Sequence, residues 1–217
     1  MIVDLSHPIR RGGFVYPGFP EPEVVPFRSH AKKGTPYGPT TSFAMTRVNA
    51  VTNIGTYLDS PFHRHERMPD FTGVPIERLV NLRGVVVDGR RRERRELPAS
   101  LFPAHRLMDH AVLILTGWSE RWNTPRYTEP GPFLGAAAAE ALAKAEPALV
   151  GIDAMNIDDR EDPERPAHTV LLGAGIPICE HLTNLEQLVG RAFRFTAAPP
   201  AWQGVASFPV RAFAVLE

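Results

Sequence analysis

Asn53-Ile54-Gly55-Thr56-Tyr57-Leu58-Asp59-Ser60-Pro61-Phe62-His63 is the stretch on which the reading of this chain turns. It follows strand-like residues 46–52 and ends with a carboxylate and an imidazole four residues apart. Gly55 permits a turn or a close backbone approach. Pro61 removes one donor and steers Ser60 away from the helical region. The chain is therefore expected to run extended to Leu58 and then bend. Asp59 and His63 would then enter one space without sharing a regular helical face. A surface loop with an ordinary Asp and His is the plainer alternative.

Outward from this stretch, short strands are expected at residues 2–5, 23–30 and 42–52. The last alternates around Phe43, Met45 and Val48 and feeds the central motif. Residues 82–88 read as a strand ending at Gly89, and the apolar runs at 111–116 and 149–153 as buried strands. Alanine-rich residues 135–145 form the clearest helix, ended by Pro147. Strand, helix, strand at this spacing indicates an α/β layer with a crossover. A short helix led by His168 is expected to stop at Gly173 or Gly175, followed by a strand at 176–182 with Cys179 and Glu180. Residues 76–79, 100–107 and 185–189 read as short helical turns, and 193–195 and 205–215 as closing strands. Residues 32–41, rich in glycine and proline, read as a flap or a dimer arm.

Composition narrows the function. The chain has 217 residues, 43% of them apolar, with 24 basic and 24 acidic side chains. Zero net charge gives no general case for nucleic acid or an anionic membrane. The arginine-rich run at 90–95 is interrupted by Glu93 and lacks aromatics, so it reads as a solvated loop. Cys179 is the single cysteine, which rules out an internal disulfide and fits a reducing, cytoplasmic setting. The start lacks a signal-peptide layout, and no apolar run approaches the roughly 20 residues that span a bilayer. A small-molecule partner is the remaining expectation.

Four polar residues fall at predicted strand or helix ends: Asp59, His63, His168 and Glu180. Two carboxylates and two imidazoles suit a divalent metal, with zinc or manganese favoured. They also suit proton transfer, because histidine titrates near neutrality. Tyr16, in the turn Tyr16-Pro17-Gly18, offers a wall for a flat ligand or a pin for its own loop. Trp118 and Trp122 follow the 111–116 strand, where they line a pocket or cover its mouth. The acidic loop at 156–166 does not match a calcium-loop pattern and reads as mostly solvated.

Taken in order, Asp4-Leu5-Ser6-His7-Pro8, Tyr16-Pro17-Gly18, the 55–63 block, Gly151-Ile152-Asp153 and the block from Leu171 to Glu180 resemble the cyclase superfamily. That superfamily includes kynurenine formamidases and isatin hydrolases. The resemblance implies a swivelling β/β/α fold, α/β in class with a mixed central sheet, as one domain over residues 1–217. It implies a homodimer or higher homo-oligomer. It also implies hydrolysis of a non-peptide C–N bond in an amide, formamide or lactam of a small aromatic metabolite.

By the same resemblance, Asp59 looks like a metal-bridging carboxylate and His63 like the general acid/base. His168 and Glu180 look like further metal ligands, and Tyr16 like the substrate-stacking aromatic. Asn53 and Tyr57 stand where the pattern His-x-Gly-Thr-His-x-Asp-x-Pro-x-His has its first two histidines. The expectation is thus an atypical, histidine-deficient member. It would hold one divalent ion (manganese, zinc or magnesium) on Asp59, His168 and Glu180, or none. Asn53 would orient substrate, and Trp118 would help hold it. Two alternatives stay open: a metal-independent lyase, dehydratase or cyclising enzyme using His63 and Tyr57, and a non-catalytic small-molecule binder.

Overall fold

Five consecutive apolar residues, Ala111–Leu115, have no polar face, and the structure buries every one of them. The computed structural model describes residues 1–33, 37–90, 94–103 and 107–217. Its elements run β1 (Ile2–Asp4), β2 (Glu23–Arg28), β3 (Met45–Asn49), β4 (Tyr57–Asp59), β5 (Leu82–Asp88), β6 (Glu96–Leu97), β7 (Ala111–Leu115) and β8 (Phe133–Leu134). Then come α1 (Ala136–Lys144), β9 (Leu149–Ile152), α2 (Pro166–Gly173), β10 (Ile178–Glu180), β11 (Phe193–Thr196), β12 (Ser207–Pro209) and β13 (Phe213–Leu216).

Nine strands form one mixed sheet in the order β1-β13-β11-β5-β7-β9-β10-β4-β12. The pairs β5/β7, β7/β9 and β9/β10 are parallel, and antiparallel pairs flank them on both sides. Strand periodicity sends alternate side chains to opposite faces. Val112 and Ile114 accordingly join the core shared with α1 and α2, while Ala111, Leu113 and Leu115 join the core on the other face. A strand buried on both faces needs a continuous apolar run, which is why the sequence marks β7 and β9 so plainly. This is the expected α/β class with a mixed central sheet.

Residues 42–52 hold the expected strand, β3, which leads into the central motif; it pairs with β2 in a separate two-stranded ribbon, and all five β3 residues are exposed. The chain returns to the main sheet at β4, three residues long. The 100–107 helix reduces to a 3₁₀ turn at Ala99–Leu101, and residues 104–106 lie outside the described residues. The flap at 32–41 and the arginine run at 90–95 likewise include undescribed residues, 34–36 and 91–93. In the described part of that run, Arg90 pairs with Asp88 and Arg95 with Asp159. Among the described residues no helix is long and apolar enough to cross a membrane.

Glycine 84 in β5 sits under the Phe193 ring of β11. A Cβ there would lie 1.9 Å from Phe193 Cε2. Gly84→Ala is expected to destabilise the fold by about 1–3 kcal/mol through overpacking. Urea titration would show a lower midpoint with unchanged slope, and Phe193→Leu on the same background should recover part of the loss.

Candidate active site

Register, more than sequence proximity, assembles the site. Strand β4 lies between β10 and β12, with Tyr57 opposite Glu180 and Asp59 opposite both Ile178 and Ser207. Tyr57 and Asp59 are two apart and share a face, so Glu180 and Ser207 reach that same face from the neighbouring strands. The Tyr57 phenol donates to Glu180 Oε2, and the Ser207 hydroxyl donates to Asp59 Oδ1. Beyond Asp59, Ser60 stays extended and Pro61 opens a 3₁₀ turn over Pro61–His63. That turn brings His63 Nδ1 to 3.0 Å from Ser207 Oγ and 3.8 Å from Asp59 Oδ1. The one Ser207 proton is committed to Asp59, so its oxygen accepts from His63 Nδ1–H.

Helix α2 supplies the second imidazole. Proline at its first position suits a helix start, where the missing N–H costs nothing. The exposed N–H groups of this start are taken by Asp158, whose Oδ1 accepts from Ala167 N at 2.6 Å and whose Oδ2 accepts from His168 N at 3.1 Å. Asp158 Oδ2 also lies 2.5 Å from His168 Nδ1. A carboxylate at Nδ1 fixes the ring and turns Nε2 inward. His168 Nε2 stands 3.7 Å from Asp59 Oδ2 and 3.8 Å from Glu180 Oε1.

Burial and charge compete throughout this cluster. Burial works to raise the Asp59 pKa, but the close approach of His168 and the charges of His63 and His168 outweigh it and lower it. Burial works against charge on His168, yet its bond to Asp158 and the nearby carboxylates of Asp59 and Glu180 hold it up at about 10. Glu180 is pushed up to about 7 by burial, opposed by His168 and helped by Asp59. Burial, with Glu180 and Asp59 adding to it, holds the Tyr57 phenol well above its usual range.

The expectation of a histidine-deficient site is overturned. Asp59, His63 and His168 offer ligand atoms that all lie within 4.8 Å of one another, an intact Asp-His-His triad. His63 fills out the donor set despite Asn53 and Tyr57 standing at the earlier positions. Asp59 Oδ2 is buried with no hydrogen-bond partner among the described residues, an expensive arrangement that a cation resolves. Two nitrogens and a carboxylate oxygen with room for solvent are a common donor set for zinc, manganese or iron. The residues present therefore fit a single divalent ion. Glu180 lies beside the triad with Oε1 accepting from Ile157 N at 2.7 Å and Oε2 from Tyr57.

The triad opens into a cavity of about 300 Å³ lined by Tyr16, Phe19, Asn53, Tyr57, His63, Arg64, Asn156, Arg165, His168 and Glu180. Tyr16 and Phe19 pack ring to ring at 5.3 Å. Asn53 Nδ2 donates to Asp59 Oδ1 at 3.4 Å. Trp118 is not brought to this cavity; it is buried, and its indole N–H donates to Tyr127 O. Trp122 stacks on His7 at 4.0 Å instead. Sequence reasoning missed Asp158 and Ser207. Asp158, read as solvated, is 2% exposed. Its one sequence signal is an acid shortly before a proline-initiated helix; Ser207 carries none.

Removing the Asp158 carboxylate should free the His168 ring. Asp158→Ala is expected to weaken divalent-metal affinity about 10–100-fold and to cost about 1 kcal/mol from the lost helix cap. Competition with a chelating dye and a thermal melt read the two effects; unaltered affinity would remove the orienting role.

Against known proteins, residues 3–159 match the Cyclase family model, described as "Putative cyclase". The Uncharacterized protein MJ0783 of Methanocaldococcus jannaschii is 28% identical over 218 residues, covering 99% of each chain. A kynurenine formamidase of Bacillus cytotoxicus is 31% identical over 99 residues, 46% of this chain and 47% of that one. Among solved structures, a potential metal-dependent hydrolase with cyclase activity superposes with a TM-score of 0.79 at 25% identity, covering 99% of this chain and 96% of its own. The triad is a candidate divalent-metal site of hydrolase-like make-up. With most of its length under the family match, and the fold and site in agreement, the chain belongs to the cyclase family.

Proposed function

We propose that this enzyme hydrolyses an amide, formamide or lactam C–N bond in a small aromatic metabolite, with one divalent ion in the site. The observation that carries the proposal is Asp59 Oδ2, buried without a hydrogen bond and 3.7 Å from His168 Nε2, at the base of a cavity walled by Tyr16 and Phe19. Likeness to the Bacillus cytotoxicus kynurenine formamidase supports the substrate class.

Asp59 and His168, both buried, would anchor the ion with Glu180 beside them, and His63, the exposed member of the triad, would be left unbound for proton transfer. When bound, a divalent ion supplies Lewis-acid polarisation and lowers the pKa of water. We assign the proton transfers to His63, whose side chain is 35% exposed while its Nδ1 rests on Ser207. His63 takes a proton from water and returns it to the departing nitrogen. Water adds across the C–N bond, which breaks to a carboxylate and an amine. Tyr16 and Phe19 hold the aromatic ring, and Asn53 orients the carbonyl. Tyr57 stays protonated and bound to Glu180, which argues against a metal-independent reaction using it as base.

A homodimer completes the proposal. Val24 and Val48 pair across the β2–β3 ribbon and are 63% and 64% exposed, and Phe27 beside them is 79% exposed. An isolated two-stranded ribbon is marginal in water, so a second subunit would cover it. A cytoplasmic setting rests on the lone, buried Cys179.

Elemental analysis is expected to find close to one divalent ion per chain after loading, and none in Asp59→Asn/His168→Ala. His63→Ala should retain the ion and lose at least about a hundredfold in turnover; undiminished turnover would end the assignment. For the dimer, Val24→Glu/Val48→Glu should sediment as a monomer where the parent protein does not.

A further inference from the structure

Two arginines line the cavity, and among the described residues neither has a carboxylate within ion-pair distance. Arg64 donates through Nε to Thr169 Oγ1 at 2.9 Å and through Nη2 to the Glu164 carbonyl at 3.3 Å. Arg165 donates through Nη1 to Asn156 Oδ1 at 3.1 Å and through Nη2 to the Arg160 carbonyl at 3.4 Å. Every one of these acceptors is neutral. Other arginines here that meet an acid do so directly: Arg90 with Asp88, Arg95 with Asp159, Arg121 and Arg126 with Glu129, Arg194 with Glu217 and Arg211 with Asp4.

The carboxylates nearby are already engaged. Asp59 and Glu180 face His168 and the position of the ion, so they do not offset the guanidinium charge. A guanidinium has five N–H donors in a planar fork. Each of these two spends donors on holding its own place and retains others. Both are also fixed near the first turns of α2, the helix that carries His168: Arg165 directly precedes that helix, and Arg64 bonds Thr169 within it. Their charge is thus held in position before a ligand arrives, which lowers the cost of binding one. Fixed, unneutralised guanidiniums match the geometry of a carboxylate.

We infer that Arg64 and Arg165 form a carboxylate-recognition subsite, so that the substrate is a small aromatic amide bearing a carboxylate away from the bond that is cleaved. The inference rests on the hydrolase reading above and narrows it. A cavity of about 300 Å³ limits the ligand to roughly one ring with short substituents.

The test compares two formamides with the same ring, 2-formamidobenzoate and formanilide, on the manganese-loaded full chain. The parent enzyme should show a KM for the carboxylated probe at least about tenfold lower. Arg64→Met and Arg165→Met should each raise that KM by about 10–100-fold, with kcat within severalfold and the formanilide KM unmoved. Arg64→Lys should recover part of the loss. Arg64 is exposed, so its variants keep the test open if the Arg165 variant folds poorly. Equal KM for the two probes in the parent enzyme, or parallel losses on both in the variants, would overturn the subsite. If neither formamide is cleaved, the hydrolase reading fails separately and calorimetric titration with phthalate decides the subsite. Weaker binding in the arginine variants upholds it, and identical binding overturns it.

Discussion

A carboxylate without solvent contact ends β4, and one of its oxygens has no hydrogen-bond partner among the described residues. Burying such a charge costs several kcal/mol unless opposite charge surrounds it. The rest of the site reads as the answer to that cost. Ser207 donates to one Asp59 oxygen, His168 approaches the other, and the remaining space suits a cation. The sheet makes this possible, because β4 sits between β10 and β12 and both neighbours deliver a polar group opposite it.

The two imidazoles are held differently, and this divides their roles. His168 is buried and bonded through Nδ1 to an acid that also caps its helix. Its ring cannot turn without losing that bond, so it suits an anchor. His63 ends a three-residue turn, is partly exposed, and rests on a hydroxyl. A proton carrier needs that lighter hold, because its partners must change during the reaction. Outside them lies a rim of aromatic and cationic side chains, where ring and charge on a ligand would be read.

Much of the fold was legible because burial on both faces demands an unbroken apolar run. Residues 111–115 and 149–152 announce β7 and β9 for that reason. The alanine-rich helix and the His168 helix were likewise readable from propensity, glycine and proline. Alternation marked a strand within residues 42–52, but a period of two does not say which sheet a strand joins. There the strand pairs into the exposed ribbon. Trp118 lies outside the triad's cavity for a related reason: an aromatic after a strand end can face a cavity or the core, and its indole finds a carbonyl inside.

By itself the sequence determined that Asp59 and His63 meet at a bend, that His168 opens a helix and that Glu180 ends a strand. Glycine, proline and hydrophobic runs act locally, so these follow from neighbours along the chain. Which of these groups meet, and through which atoms, belonged to the tertiary structure. Ser207 lies 148 residues from Asp59 and reaches it through strand register. Asp158 lies in an acidic loop whose composition suggests solvent, and docking against α2 buries it. The intact triad is of this kind too. Counting histidines along one motif implied a deficit, whereas the sheet and α2 bring the second imidazole from more than a hundred residues away, because coordination depends on distance in space.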